Sequence, residues 1–420
     1  MSLRTLAILL ALFAAPASLI AKSPAPAKGL VAEKPVEGRA IETGRGWMVA
    51  YTEQLPGTDL EFEMLPVPGG VVRLPVQGED GEAAFCEVEL PPYWVASCEV
   101  SWAEYRQYMA LDKHFGELQQ LTTLQAKPEA KAALEQQASL ASVLGAERTA
   151  DASEIAVDAV TAPTPLYDPS TTYESGDAPE LPAVTMSPFA ARQYTKWLSA
   201  LTGRDYRLPS EAEWLHAAAA GEPINFAAEG DADAIEESAW YTDNSDYVAQ
   251  PVGQKEPNAW GLHDVLGNAA EQVLDAFYPE GRPDLAGKRV AWAEAVAWPR
   301  DGDARLAKGG WYDAEAEEIN LASRMVTEEE DWKSSDPNLP MSPWWYADYP
   351  ATGVGFRLVR PLAPIPADLY TRVWDTEDPV VVRSVTERLR EGRGKLGPIG
   401  EELPKVLDEL RSEPVRALLK

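Results

Sequence analysis

Cysteine and histidine are scarce in this 420-residue chain, which has two of the first and three of the second. No cysteine follows Cys98, and a lone pair of cysteines is weak evidence for a disulfide. A hairpin centred on Pro92 would set Cys86 opposite Cys98, and an oxidising compartment would favour a bond between them. Two buried free thiols are the alternative, and the sequence leaves both open. His114, His216 and His263 are scattered, and none forms a helical His-x-x-x-His pair. Basic side chains are also few: 37 Lys and Arg face 67 Asp and Glu, for a formal net charge of -30. That balance argues against a general nucleic-acid or anionic-membrane surface, because phosphates favour clustered Lys and Arg. It suits solubility in an exported protein, or the attraction of cations such as calcium or basic peptides.

Long apolar runs are missing beyond the first residues, so no membrane span is expected after them. Residues 1–21 read as a secretory signal: Arg4, the apolar run Leu6 to Ala15, then small residues up to a cleavage point after Ala21. No cysteine closely follows that run, which removes a lipid acceptor. The expected location is outside the cytoplasm, periplasmic or extracellular. Repeats of solenoid or propeller type are absent too.

What the chain does have is 14 Trp, 35 Pro and 29 Gly, a composition that predicts a loop-rich body with aromatic anchors. Residues 22–58, rich in Pro, Ala, Glu and Lys, read as a linker, with regular structure beginning near Leu60. Leu60 to Pro75 and Ala84 to Val100 are β-prone runs broken by Gly69-Gly70 and Pro91-Pro92, as in a meander of short strands. Ser101-Trp102-Ala103-Glu104 has the capping-box spacing that satisfies the first free amides of a helix carrying Tyr105 and Tyr108. Ser187-Pro188 opens a second helix that stops at Gly203, and Ser210 to Glu213 caps a third. Residues 112–162, rich in Ala, Gln, Glu and Leu, predict an inserted, partly exposed helical element. The tail, 363–420, carries amphipathic helices near Val380 to Glu391 and Glu401 to Leu419.

Several segments in order carry a family resemblance. They are Glu99-Val100-Ser101-Trp102-Ala103-Glu104-Tyr105; Tyr206 through Arg207-Leu208-Pro209 to Trp214; and Gly261-Leu262-His263-Asp264-Val265-Leu266-Gly267-Asn268-Ala269-Ala270-Glu271. Lys308-Gly309-Gly310, Arg324 and Gly353-Val354-Gly355-Phe356-Arg357 complete the set. Over residues 59–362 the chain resembles the formylglycine-generating enzyme (sulfatase-modifying factor) family. The resemblance implies an α+β, irregular C-type-lectin-like fold, here with an inserted helical segment and a helical C-terminal tail.

It also implies a calcium site at Asp264, Glu271 and the carbonyls of Gly267 and Ala269, since hard calcium prefers oxygen donors gathered by a tight turn. The alternative is a turn in which Asn268 bonds its own backbone. A substrate groove is implied beside Trp311, Tyr312, Arg324, Trp344, Trp345 and Arg357. Trp344 and Trp345 follow Pro343, and on an extended segment they would point in opposite directions, one of them toward solvent or a partner. Exposed rings there would stack on a peptide or sugar. Arg207, Glu211 and Glu213 read as a structural corner, with buried Arg–carboxylate pairing, more than as catalysts.

Members of that family that oxidise a sulfatase cysteine hold copper(I) with two thiolates. Aligned on Gly309-Gly310, those positions fall at Ala314 and near Ile319, which argues against copper here. Two readings follow. One is an exported, calcium-stabilised binding or maturation accessory for a secreted protein, peptide or glycan. The other is an oxidoreductase of the formylglycine-generating type that uses a different metal site.

Overall fold

The computed structural model describes residues 27–78, 81–145, 159–166, 169–226, 230–300, 302–327, 331–333, 341–347 and 349–420; the expected signal, 1–21, lies outside them. Small sheets and short helices make up the body, and no helix among the described residues is long and apolar enough to cross a membrane.

Local signals fixed the helices. Ser101 and Glu104 form both halves of the capping box at the start of helix Trp102–Met109, and Ser210 and Glu213 repeat it at Glu211–Ala219. Helix Pro188–Thr202 begins at the Ser187 cap and ends on Gly203 in the left-handed region. Each serine cap satisfies amide groups that a helix start leaves unpaired.

Strand partners follow longer-range rules. Glu61–Val67 pairs with Tyr51–Gln54 and with Tyr93–Ala96, whose other neighbour is Val359–Pro361. Gly70–Gln77 pairs instead with Ala83–Leu90. Pro91-Pro92 therefore carries the chain from one sheet to another rather than around a hairpin, because neither proline has an amide to donate to a ladder. Cys86 ends opposite Leu74, and both cysteines are free thiols. A third sheet, in the order Arg324–Thr327, Arg305–Lys308, Ala270–Ala276, Val354–Gly355, supports the segments singled out above.

Residues 30–54 correct the linker reading. Leu30–Val31, Ala40–Thr43 and Gly46–Val49 form a small sheet of their own, and Tyr51–Gln54 joins the Glu61–Val67 sheet. Met48 and Leu55 are fully buried. Apolar residues two apart are enough for half-buried strands of this length, and the Pro and Lys content around them hid the pattern.

The insertion and the tail pack on each other. Helix Leu111–Leu124 buries Leu111, Phe115, Leu118 and Leu121 along one face, and helices Pro128–Leu134 and Ala138–Leu144 follow. Helix Leu403–Leu410 buries Leu403, Val406 and Leu410 in the same apolar cluster. Strand Ala159–Ala162 pairs antiparallel with Lys395–Pro398 of the tail. The two segments thus form one added layer against the body.

Candidate functional site

Gly309 and Gly310 follow strand Arg305–Lys308, and the loop beyond them is closed in on itself. Ala314 and Ile319 are buried with Ile235, Tyr241, Trp311 and Tyr346 in one apolar cluster. Thr242 donates its amide and its hydroxyl to the Ala314 carbonyl, and the Gly230 amide donates to Glu317. The positions where two thiolates would stand are methyl and sec-butyl side chains roofed by residues 230–242.

The groove reading is corrected by burial. Tyr312, Trp344, Trp345 and Arg357 are each no more than 5% exposed, and Trp311 only 8%. Trp311 lies flat on Gly353, where a Cβ would come within 1.8 Å of its ring, so only glycine fits beneath it. The added layer covers Trp344 and Trp345: the Trp344 indole donates to Thr161 Oγ1 at 3.0 Å, and the Trp345 indole to the Thr164 carbonyl at 2.8 Å. Residue 394 of the tail must be glycine-sized to pass over Trp344. Arg324 is partly exposed, but its guanidinium makes two 2.7 Å bonds to Glu211.

Three buried ionic centres sit beneath this surface. In the first, Arg207 and Glu213 form a bidentate pair at 2.7 Å with both side chains 1% exposed, as the corner reading expects. In the second, Glu211 takes Arg324 and lies 3.6 Å from Lys308 Nζ. Burial drives the Lys308 pKa down to about 8, against the pull of Glu211. Asp275, which accepts the Glu211 and Ala297 amides, is pushed up to about 6 by burial and by the Glu211 charge.

The third centre joins the implied calcium residues. Arg357 Nε lies 2.9 and 3.0 Å from the two Glu271 oxygens, Arg357 Nη2 is 2.7 Å from Oε1, and the Trp214 indole donates to Oε2 at 2.8 Å. Burial works against the Arg357 charge, yet Glu271 outweighs it and raises the guanidinium pKa. Glu271 therefore has its acceptor sites filled by donors, one of them a cation, and does not fit as a calcium ligand beside Asp264. Asp264 takes the Gly253 amide on one oxygen, and its carboxyl group shares a side-chain hydrogen bond with that of Glu99, whose pKa burial and the Asp264 charge push well above the ordinary carboxylate range. The Gly267 turn is held by sterics: its φ is +74°, and a Cβ would meet the Trp240 carbonyl at 2.1 Å. Asn268 does not bond its own backbone but links the Gln250 amide to Glu99.

Among the described residues, no group of three His, Cys, Asp or Glu is disposed to hold a metal. His114 lies near Glu117, His216 contacts the Pro68 carbonyl and His263 the Lys255 carbonyl, in three separate places. Sequence reasoning missed one feature, a cavity at the β-to-α junction after Cys98. The available signal was the alternation of glutamates at Glu61 and Glu63 on one strand, ahead of Glu99 and Glu104.

Three solved structures are similar in outline: Treponema denticola variable protein 1, 16% identical over 74% of this chain and 99% of that one, TM-score 0.43; PvdO from Pseudomonas aeruginosa, 20% identical over 71% and 94%, TM-score 0.40; and CarF, 20% identical over 71% and 98%, TM-score 0.36. No curated protein matches the chain. The sulfatase-modifying factor enzyme 1-like domain matches residues 53–362, most of the chain. With its segments in family order and its mixed sheets and helices in the irregular C-type-lectin-like α+β arrangement, the chain belongs to the sulfatase-modifying factor (formylglycine-generating enzyme-like) family.

Proposed function

We propose that this chain is an exported, non-oxidising member of its family that binds a secreted protein, peptide or glycan, or assists its maturation. The observation that carries the reading is the pair Ala314 and Ile319, buried in an apolar cluster where the oxidising members hold two thiolates. Alkyl side chains offer copper(I) no donor, and the chain has no cysteine after Cys98 from which to supply one. Export is supported by the apolar run Leu6 to Ala15 and the small residues that follow it. Calcium is not required by this reading, since Arg357 already neutralises Glu271.

The test uses the purified mature protein. Elemental analysis should find no stoichiometric copper or iron, and oxygen should not be consumed with a cysteine-containing sulfatase-type peptide. Stoichiometric copper or iron together with oxygen uptake would overturn the proposal in favour of an oxidoreductase. Capture experiments against extracellular proteins and polysaccharides then identify the partner.

A further inference from the structure

We propose that His114 is an acid-sensitive latch between the insertion and the tail: uncharged, it lets helix Leu111–Leu124 dock on the tail helices Leu403–Leu410 and Glu413–Leu418, and charged, it loosens them. The two segments share an apolar cluster that holds Leu111, Phe115, Leu118 and Leu121 from the insertion and Leu403, Val406, Leu410 and Val415 from the tail. His114 and Glu117 lie one helical turn apart beside that apolar face, with side chains only 13% and 14% exposed. Glu117 divides its carboxylate between the segments. Its Oε1 accepts from Arg416 of helix Glu413–Leu418 at 2.5 Å, and its Oε2 lies 3.7 Å from His114 Nδ1.

With a neutral imidazole, the Glu117 carboxylate and the Arg416 guanidinium balance each other across the contact. A proton on His114 would set two positive charges against that one carboxylate, in a place largely removed from water. Burial is the main cause that holds the His114 pKa below its ordinary 6.5; Glu117 pulls it upward, and Arg411 and Lys113 add to the lowering. The surrounding elements supply no relief. Strand Lys395–Pro398 presents Lys395, whose Cε stands over Gly116 and whose charge acts on Asp112. Asp408 is bound to Arg411, and Glu409 to the Ser139 and Leu140 amides. On helix Trp102–Met109, Glu104 is held by Ser101 and Arg106 turns to Asp177. Helix Ala138–Leu144 and strand Ala159–Ala162 carry no charged side chain.

The direction follows from proton counting. The folded pKa lies below the unfolded one, so between them the folded chain holds fewer protons. The contribution of His114 to docking is therefore present above about pH 6.5 and is lost as pH falls through the folded value. Undocking also takes Glu409 away from the start of helix Ala138–Leu144, so the rest of the insertion loosens with the tail. Such local opening needs no global unfolding.

The latch is independent of the binding reading, and either can fail alone. Amide hydrogen exchange on the full mature chain, corrected for intrinsic rates, should show protection in residues 111–124, 138–144 and 403–418 dropping severalfold between about pH 7.5 and pH 5.5. Strand Ala270–Ala276 of the body should keep its protection over the same range. His114→Gln, which stays neutral, should abolish the drop. In an NMR titration of the ring, His114 should titrate below 6.5, and Arg416→Gln, which releases Glu117 to the imidazolium, should move it upward. Thermal melts establish that each variant is folded, and the wild-type ring titration keeps the test decisive if one is not. Unchanged protection across the pH range, the same drop in folded His114→Gln, a ring titration at or above 6.5, or no upward movement in folded Arg416→Gln would overturn the proposal.

Discussion

The body of the molecule and its added layer are stabilised by different means. In the body, charges are buried in pairs: Arg207 with Glu213, Arg324 with Glu211, and Arg357 with Glu271. In the layer, formed from the insertion and the tail, leucines and valines do the packing and ion pairs such as Lys405 with Glu402 and Arg411 with Asp408 lie in solvent, while its buried pairs, Asp375 with Lys196 and Asp378 with Arg305, lie at the seam with the body. Buried pairs punish the loss of one partner heavily, because the other charge stays behind in a low-dielectric site. Solvated pairs contribute little. The body and its seam with the tail are thus locked by a few irreplaceable residues, whereas the interior of the layer tolerates change one side chain at a time. Yet the layer decides what the body presents, since it covers Trp344 and Trp345.

The largest effect should come from breaking the body at Arg357. Replacing it with Met leaves Glu271, and Glu99 behind it, buried without a cation, and should cost about 3–5 kcal/mol in urea unfolding. Arg357→Lys keeps the charge but loses the fork and should fall between the two. A loss below about 1 kcal/mol for Arg357→Met would erase the contrast between body and layer.

The difference between the regions also explains how much the sequence disclosed. Helix starts at Ser101, Ser187 and Ser210 were legible because a cap is decided within four residues. The Arg207 corner was legible for the same reason. The fate of Trp344 and Trp345 was not, because it depends on Thr161, Thr164 and Gly394 meeting across the fold. The Cys86–Cys98 hairpin failed likewise: strand partners are chosen by sheets far apart in sequence, and Pro91-Pro92 changes sheets. Glu271 matched the implied calcium pattern, but only the structure shows Arg357 filling its oxygens.

A second test sharpens the contrast through pH. Burial lowers the Lys308 pKa to about 8 from 10.5. Between those values the folded chain holds fewer protons than the unfolded one, so stability from this group rises as pH increases above about 8. At pH 7 the buried ammonium is a net cost on the order of 3 kcal/mol. Lys308→Met should therefore be more stable than wild type at pH 7 by about that amount, with Glu211 still paired to Arg324. The advantage should shrink between pH 8 and 9 in urea titrations of the two proteins. A constant difference across that range would mean that Lys308 is not desolvated as described.

The smallest effect should be local and confined to the layer. Glu409 of the tail accepts the Ser139 and Leu140 amides at 3.3 and 2.6 Å, so a carboxylate from one added segment caps the helix Ala138–Leu144 of the other. Gln137, at the cap position itself, makes no side-chain bond. A borrowed cap is worth what a local one is, about 1 kcal/mol, and a carboxylate also meets the favourable end of the helix dipole. Glu409→Ala should speed amide hydrogen exchange around residues 138–144 while exchange in the Arg357 neighbourhood stays unchanged. Acceleration in both places would show that layer and body open as one cooperative unit, and the division drawn between them would then hold for their chemistry but not for their unfolding.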